Sequence, residues 1–265
     1  MARISRSEFL SGLGGLAVGV PLGMAGEAYR SPQAPQVTEA PQAPPADEAP
    51  WAERSFAQSA EDLIANYIFA YLGIGDISYL DIGAYDPVRI NNTYFFYKKG
   101  SRGVLVEPNV AMCEKLRAVR PRDTTLNAGI GVSAASEADY YLMTEPSWNT
   151  FSKEEAEHQV KITNGRVKID KVIKMPLLDI NDVMSEHFKG APAFVSIDAE
   201  GWHLPILKAI DFRRFRPKII CVETLVSGTT VKTGDVAAFM TSKGYHDRGG
   251  SFVNTLFVDG KLLGK

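Results

Sequence analysis

From residue 51 onward the apolar positions follow two alternating textures. Short apolar runs occupy residues 78–82, 102–106, 193–197, 218–222 and 255–258, and 124–130 reads as a further strand among them. Such runs are too short for helices and too continuously apolar for a half-exposed sheet, so they read as buried, mostly parallel strands. Between them the apolar residues recur at helical spacing. Residues 59–72 place Leu63, Ile64, Tyr67, Ile68 and Tyr71 on one face, with Glu61 and Asp62 in the first turn, where acids suit the helix dipole. Residues 110–119, 204–210 and 236–243 repeat the helical pattern, while 139–143 and 172–175 read as extra strands around a polar insertion. Strands alternating with helices predict an α/β fold with a doubly wound, mostly parallel sheet.

The chain before residue 51 has a different texture. Arg3 and Arg6 precede an apolar run over 9–25, the layout of a secretory signal. Residues 5–10, SRSEFL, resemble a twin-arginine export signal in which Ser7 takes the place of the second arginine. The run is short for a membrane span and rich in glycine. Residues 1–30 are therefore expected to form a signal or anchor segment, associating with a membrane through 9–25, or to resemble one without acting as one. Residues 31–50, SPQAPQVTEAPQAPPADEAP, cannot bury enough apolar surface to fold and read as a linker. The folded domain is expected over 51–265.

Composition narrows the partners. With 265 residues, 45% hydrophobic and 23% charged, the chain is of ordinary globular type, and its net charge of −2 leaves no basic footprint for nucleic acid. The run Arg213-Arg214-Phe215-Arg216-Pro217-Lys218 reads as a solvated helix end. Cys113 falls in an expected helix and Cys221 in an expected strand, so both read as core residues.

In a doubly wound sheet, ligands lie at the carboxyl ends of the strands. The first strand ends in Tyr79-Leu80-Asp81-Ile82-Gly83-Ala84-Tyr85-Asp86-Pro87, and the second in Leu105-Val106-Glu107-Pro108-Asn109. Gly83 permits close backbone approach, Asp81 offers a carboxylate to an ammonium group, and Glu107 stands where an acid accepts hydrogen bonds from ribose hydroxyls. Together they favour an adenosine-containing ligand. A nicotinamide dinucleotide would call for G-x-G-x-x-G against its pyrophosphate, whereas only Gly83 is present and Asp86 would repel phosphate. The expected ligand lacks phosphates and carries positive charge.

YLDIGAYDP, Asn91-Asn92-Thr93-Tyr94-Phe95 and Gly103-Val104-Leu105-Val106-Glu107-Pro108-Asn109 resemble the FkbM-type methyltransferases. So do Asn149-Thr150-Phe151-Ser152, Ser196-Ile197-Asp198-Ala199-Glu200-Gly201 and Arg216-Pro217-Lys218-Ile219-Ile220-Cys221-Val222-Glu223, all in the family's order. The resemblance implies the seven-stranded, Rossmann-like sheet of class I methyltransferases and S-adenosylmethionine as cofactor. It also implies O-methylation of a hydroxyl on a sugar, glycolipid or secondary metabolite. By position, Asp81, Gly83 and Ala84 would meet the methionine end of the cofactor, Glu107 its ribose and Asn127 its adenine, with Asp198 beside the transferable methyl. The family places a second glutamate two residues after Glu200-Gly201; this chain has His203.

Methyl transfer to a hydroxyl needs alignment and a base. His203 and Glu200 are the expected catalytic residues; a capping role for His203 and a base role for Asp198 remain alternatives. Mg²⁺ held by Asp198, Glu200 and Glu223 is a further alternative outside the expectation. Trp148, Asn149, Thr150, Phe151 and Trp202 are candidates to shape the acceptor pocket, while His158, His187 and His246 have no motif context. A small-molecule or saccharide acceptor is expected, with the catalytic domain facing the cytoplasm, where S-adenosylmethionine is made. The competing reading is a degenerate methyltransferase fold serving as a binding module.

Overall fold

The computed structural model describes residues 53–264, so the signal segment and linker expected over 1–50 lie outside the described residues. Seven strands form the main sheet: β1 (Tyr79–Ile82), β2 (Gly103–Val106), β3 (Thr124–Leu126), β7 (Phe194–Ile197), β8 (Ile219–Glu223), β9 (Tyr245–Gly250) and β10 (Asn254–Asp259). Three more, β4 (Gly129–Gly131), β5 (Glu137–Met143) and β6 (Ile169–Asp179), make a second, smaller sheet in the order β4-β6-β5. The main sheet runs β3-β2-β1-β7-β8-β10-β9. All its pairs are parallel except those of β10, which lies antiparallel to both β8 and β9. The strand order reverses between β1 and β7, and that switch point locates the crevice of a doubly wound sheet.

The helices are α1 (Glu61–Tyr71), α2 (Tyr94–Lys98), α3 (Val110–Val119), α4 (Lys153–Ile162), α5 (Ile180–His187), α6 (His203–Ala209) and α7 (Gly234–Ser242). Period-2 alternation divides the core between the two faces of the sheet. Leu80, Ile82, Val104, Val106, Val195, Ile197, Ile220 and Val222 pack with Ile180 and Val183 of α5, Ile206 and Leu207 of α6, and Met240 of α7. Tyr79, Leu105, Phe194, Ile219 and Cys221 face the other way, toward Ala65 and Phe69 of α1, Phe95 and Phe96 of α2, and Leu116 of α3. Cys113 and Cys221 are both buried and free.

The expected elements form with four corrections. The run 124–130 is not one strand: it splits at Asn127 and Ala128 into β3 of the large sheet and β4 of the small one. A further strand, β9, takes the sheet edge beside β10; its sequence YHDRGG is polar, and the left-handed Gly249 hides any alternation. Helix α1 packs Leu63, Ile64 and Ile68 of the expected face against the core but is rotated away from the rest of it. Asp62, Ala65 and Phe69 go inward, while Tyr67 and Tyr71 stand 70% and 80% exposed. The two acids set that rotation. Glu61 Oε1 accepts from Asn254 Nδ2 at 2.7 Å, and Asp62 Oδ2 accepts from the Phe56 amide at 2.7 Å, so neither carboxylate is buried without partners. Finally, the basic run is only partly solvated: Arg216 pairs with Asp259 at 2.5 Å, while Phe215 enters the core.

Helix α4, unforeseen because its sequence KEEAEHQVKI is largely polar, starts on a cap: Ser152 Oγ accepts from the Glu155 amide at 3.1 Å. Among the described residues no helix is long and apolar enough to cross a membrane.

Candidate functional site

The carboxyl ends of β1, β2, β7 and β8 line up because the register does: Ile82 stands opposite both Val106 and Ile197, and Ile197 opposite Val222. The residues that follow, Gly83, Glu107, Asp198 and Glu223, therefore share one edge. At the switch point the strands leave no room for a side chain. Gly83 has φ +79°, and a Cβ there would sit 1.9 Å from the carbonyl oxygen of Asp198. Glycine is required here for backbone conformation and close approach together.

Asp81 points toward the side of Tyr79 and is 3% exposed. Its Oδ2 accepts from Thr93 Oγ1 at 2.7 Å and from Asn91 Nδ2 at 3.4 Å. Behind these lies Arg120, fully buried, whose guanidinium donates to Asn91 Oδ1 at 3.0 Å, Thr93 Oγ1 at 2.9 Å and Asp123 Oδ2 at 2.8 Å. The rings of Tyr79 and Tyr97 lie 5.4 and 5.3 Å from its guanidinium carbon, a cation–π setting that suits a desolvated arginine. Burial pushes the Asp81 pKa up, and Arg120 pulls it back. Asn91 also fastens the loop after β1, since its Nδ2 donates to the carbonyl of the buried Ala84 at 3.0 Å and to that of Asp86 at 3.2 Å. Sequence reasoning had Asn91 and Thr93 only as parts of a motif and had no signal for Arg120, whose role exists only through tertiary contact.

Glu107, also 3% exposed, accepts the Asn109 amide on Oε1 at 2.7 Å and the Tyr85 amide on Oε2 at 2.8 Å. Burial pushes its pKa up to about 7; the two amides resist that rise, and the charges of Asp81 and Asp198 add to it. Asp198 likewise raises Asp81. The charge of Asp198 thus reaches both buried carboxylates, and that of Asp81 reaches Glu107.

Asn127 is beside them, but both its amide hydrogens are engaged: Nδ2 donates to the carbonyls of Glu107 and Pro108, each at 2.9 Å. It ties the β3 end to the β2 end. An adenine contact would have to use its Oδ1 or backbone.

The turn after β7 carries the remaining expected residues. Glu200 has φ +37°, a left-handed conformation uncommon for a residue with a side chain, and its carbonyl accepts from Thr150 Oγ1 at 2.6 Å. Gln159 Nε2 lies 3.5 Å from Glu200 Oε2. His203 opens α6, and its Nε2 accepts the Ala199 amide at 3.1 Å and stands 3.3 Å from Glu223 Oε2. Burial lowers the His203 pKa, with Asp198 opposing. Asp198, His203 and Glu223 each offer a donor atom within 4.8 Å of the others. His203 thus sits with Asp198 and Glu223.

Over this edge folds the smaller sheet. Phe151 packs between Tyr140 and Trp202, with ring centroids 4.6 and 5.5 Å away and the planes tilted. Burial raises the Tyr140 pKa first, and the charges of Glu107 and Glu200 add to it, while a hydrogen bond with Asn149 opposes. Sequence reasoning missed Tyr140, although it named Phe151 and Trp202. His158 lies apart, 3.2 Å from the Ser227 carbonyl; His187 and His246 are on α5 and the edge strand.

A family model described as methyltransferase FkbM domain matches residues 81–246. No curated protein matches the sequence. Solved structures that resemble this one include a TehB-like SAM-dependent methyltransferase from Corynebacterium glutamicum, with 11% identity and TM-score 0.41 over 80% of this chain and 93% of that one. Another is an O-methyltransferase from Bacillus cereus in complex with SAH, with 12% identity and TM-score 0.39 over 80% and 86%. A third is a precorrin-6y C5,15-methyltransferase from Geobacter metallireducens, with 14% identity and TM-score 0.36 over 78% and 92%.

Proposed function

The chain belongs to the FkbM methyltransferase family, and from that premise we propose that it methylates a hydroxyl on a small-molecule or saccharide acceptor. The observation that supports the cofactor site is the convergence of Asp81, Glu107 and Asp198 at the switch point, where Asp81 and Asp198 raise the proton affinity of Glu107 and Asp198 that of Asp81. S-adenosylmethionine, with a sulfonium and an α-ammonium, brings positive charge to that space and supplies an activated methyl group when bound. A dinucleotide pyrophosphate would bring negative charge and would want a helix start after β1. Here β1 is followed by a loop, and the next helix begins only at Tyr94.

In this reading Asp81 receives the ammonium, its orientation held by Thr93 and Asn91. Glu107 uses its remaining lone pairs for the ribose hydroxyls. Tyr140, Phe151 and Trp202 give the acceptor an apolar wall beside the site, as a sugar ring or aglycone face would need. The acceptor's hydroxyl lies against the Asp198–His203–Glu223 cluster.

Calorimetric titration of the full chain tests the cofactor assignment. S-adenosylhomocysteine should bind in the micromolar range and NAD far more weakly. Glu107→Ala should lose about 1.5–3 kcal/mol of that binding, as hydrogen bonds to a charged group disappear. Equal affinity for NAD would sink the assignment. For the transfer itself, methyl-labelled S-adenosylmethionine with a panel of hydroxyl-bearing saccharides and metabolites should yield a label that survives mild alkali. An ether does so and a carboxyl ester does not, so alkali-labile label would overturn O-methylation of a hydroxyl.

A further inference from the structure

We infer that Asp198, His203 and Glu223 form a binding site for one divalent metal ion at the acceptor side of the cofactor site. The inference rests on the methyltransferase reading only for what the ion would do, since the geometry of the site stands by itself.

The three residues come from different places in the chain. Asp198 follows β7, Glu223 ends β8 and His203 opens α6, and the parallel pairing of β7 with β8 brings the two carboxylates side by side. Their donor atoms lie within 4.8 Å of one another, and Nε2 of His203 is 3.3 Å from Glu223 Oε2. A six-coordinate ion with donors at about 2.1 Å separates adjacent ligands by about 3 Å and opposite ones by about 4.2 Å. One pair already has the adjacent spacing, and small side-chain rotations bring the third atom into range.

The chemistry of the donors fits as well. The Ala199 amide donates to Nε2 at 3.1 Å, so that nitrogen presents a lone pair. The same lone-pair atom faces a carboxylate oxygen, with a second carboxylate nearby. Two acceptors at that distance repel unless a proton or a metal cation lies between them. A cation there turns Nε2 from the amide to itself. The side chains of His203 and Glu223 are only 13% and 17% exposed, which limits the relief that water can provide.

Two carboxylate oxygens and one imidazole nitrogen suit Mn²⁺, Fe²⁺, Zn²⁺ or Mg²⁺ better than Ca²⁺, which prefers an all-oxygen shell of more ligands. Three protein donors leave coordination positions open. Acceptor oxygens can fill them, so a pair of neighbouring hydroxyls, or a hydroxyl beside a carbonyl, is the acceptor pattern this site would orient. His203 is then a metal ligand, and the role of base expected for it from the sequence passes to another group.

Mn²⁺ is the probe, because its free aquo ion has a sharp electron paramagnetic resonance signal that is lost on binding. The full chain, stripped with EDTA and dialysed, is titrated with Mn²⁺. One ion should bind per chain, and Mg²⁺ should displace it. Glu223→Gln and His203→Ala should each weaken Mn²⁺ binding at least tenfold. Titration with S-adenosylhomocysteine in EDTA reports folding of each variant independently of metal. Should His203→Ala fail to fold, Glu223→Gln, which preserves shape, still decides the question. No saturable Mn²⁺ binding by the wild-type chain would overturn the inference and leave His203 paired with Glu223 through a proton. Binding that is unchanged in both variants would overturn it equally, since the ion would then lie elsewhere. Loss of S-adenosylhomocysteine binding with Mn²⁺ binding intact would refute the cofactor reading and not the metal site.

Discussion

Glu107 carries a cost to the fold that can be measured. Buried at the β2 end, it holds its proton up to about pH 7, against an ordinary value of 4.5. The sign follows from linkage. A carboxyl that binds its proton more tightly in the folded state favours folding while protonated, and that advantage is lost as pH rises from 4.5 through 7. A displacement of 2.5 pH units at about 1.36 kcal/mol each makes the penalty about 3 kcal/mol above pH 7. Glu107→Gln removes the ionisation and nearly preserves the shape. It also puts an NH₂ against one of the two amides, Asn109 or Tyr85, that now donate to the carboxylate. That mismatch costs about 1–3 kcal/mol at every pH. The variant should therefore be less stable than wild type at pH 5 and should gain on it by about 2.5 kcal/mol between pH 5 and pH 8. Urea unfolding of both proteins across this range is the assay, and the difference between them is the quantity to follow. A stability difference that stays constant with pH would refute the argument, because it would show that Glu107 titrates alike in the folded and unfolded chains. The same variant should bind S-adenosylhomocysteine less well, so the residue would trade stability for ligand.

Two other substitutions probe how the site is held. Arg120→Met leaves Asp123 buried beside it without its cation, and should lower unfolding stability by about 3–5 kcal/mol; a thermal melt matching wild type would show that the arginine is dispensable. Gly83→Ala adds a left-handed alanine and a collision with the Asp198 carbonyl, and should cost about 2–4 kcal/mol together with cofactor binding; an unchanged affinity for S-adenosylhomocysteine would mean that β1 and β7 can part without harm.

Much of the scaffold was legible from hydrophobic spacing, because spacing is a local property. Helix α3 forms over residues 110–119 as read, and the runs at 78–82, 102–106, 193–197 and 218–222 become β1, β2, β7 and β8 within a residue at each end. The strand-end acids Asp81, Glu107 and Asp198 could be singled out for the same reason, since an acid that follows an apolar run marks a strand's carboxyl end. Where the local signal was weak or double, the reading slipped. Edge strand β9 has too few apolar residues to show alternation, α4 has too few to show a helical stripe, and 124–130 is apolar enough to look like one strand.

By itself, then, the sequence determined the α/β alternation, the strand ends and the acids placed on them, all of which depend on neighbours a few residues apart. Only the tertiary structure decided which groups meet. Helix α1 turned its acids inward because Asn254 and Phe56 were there to bond them. Arg120 came to govern Asp81 by packing through Thr93 and Asn91, with no pattern in the chain to announce it. Glu223, at the end of an ordinary apolar strand, joined Asp198 and His203 because β8 pairs with β7 in a register that sets Val222 opposite Ile197. Contacts of this kind are chosen by how whole strands and helices pack, and the chemistry of the site depends on that choice.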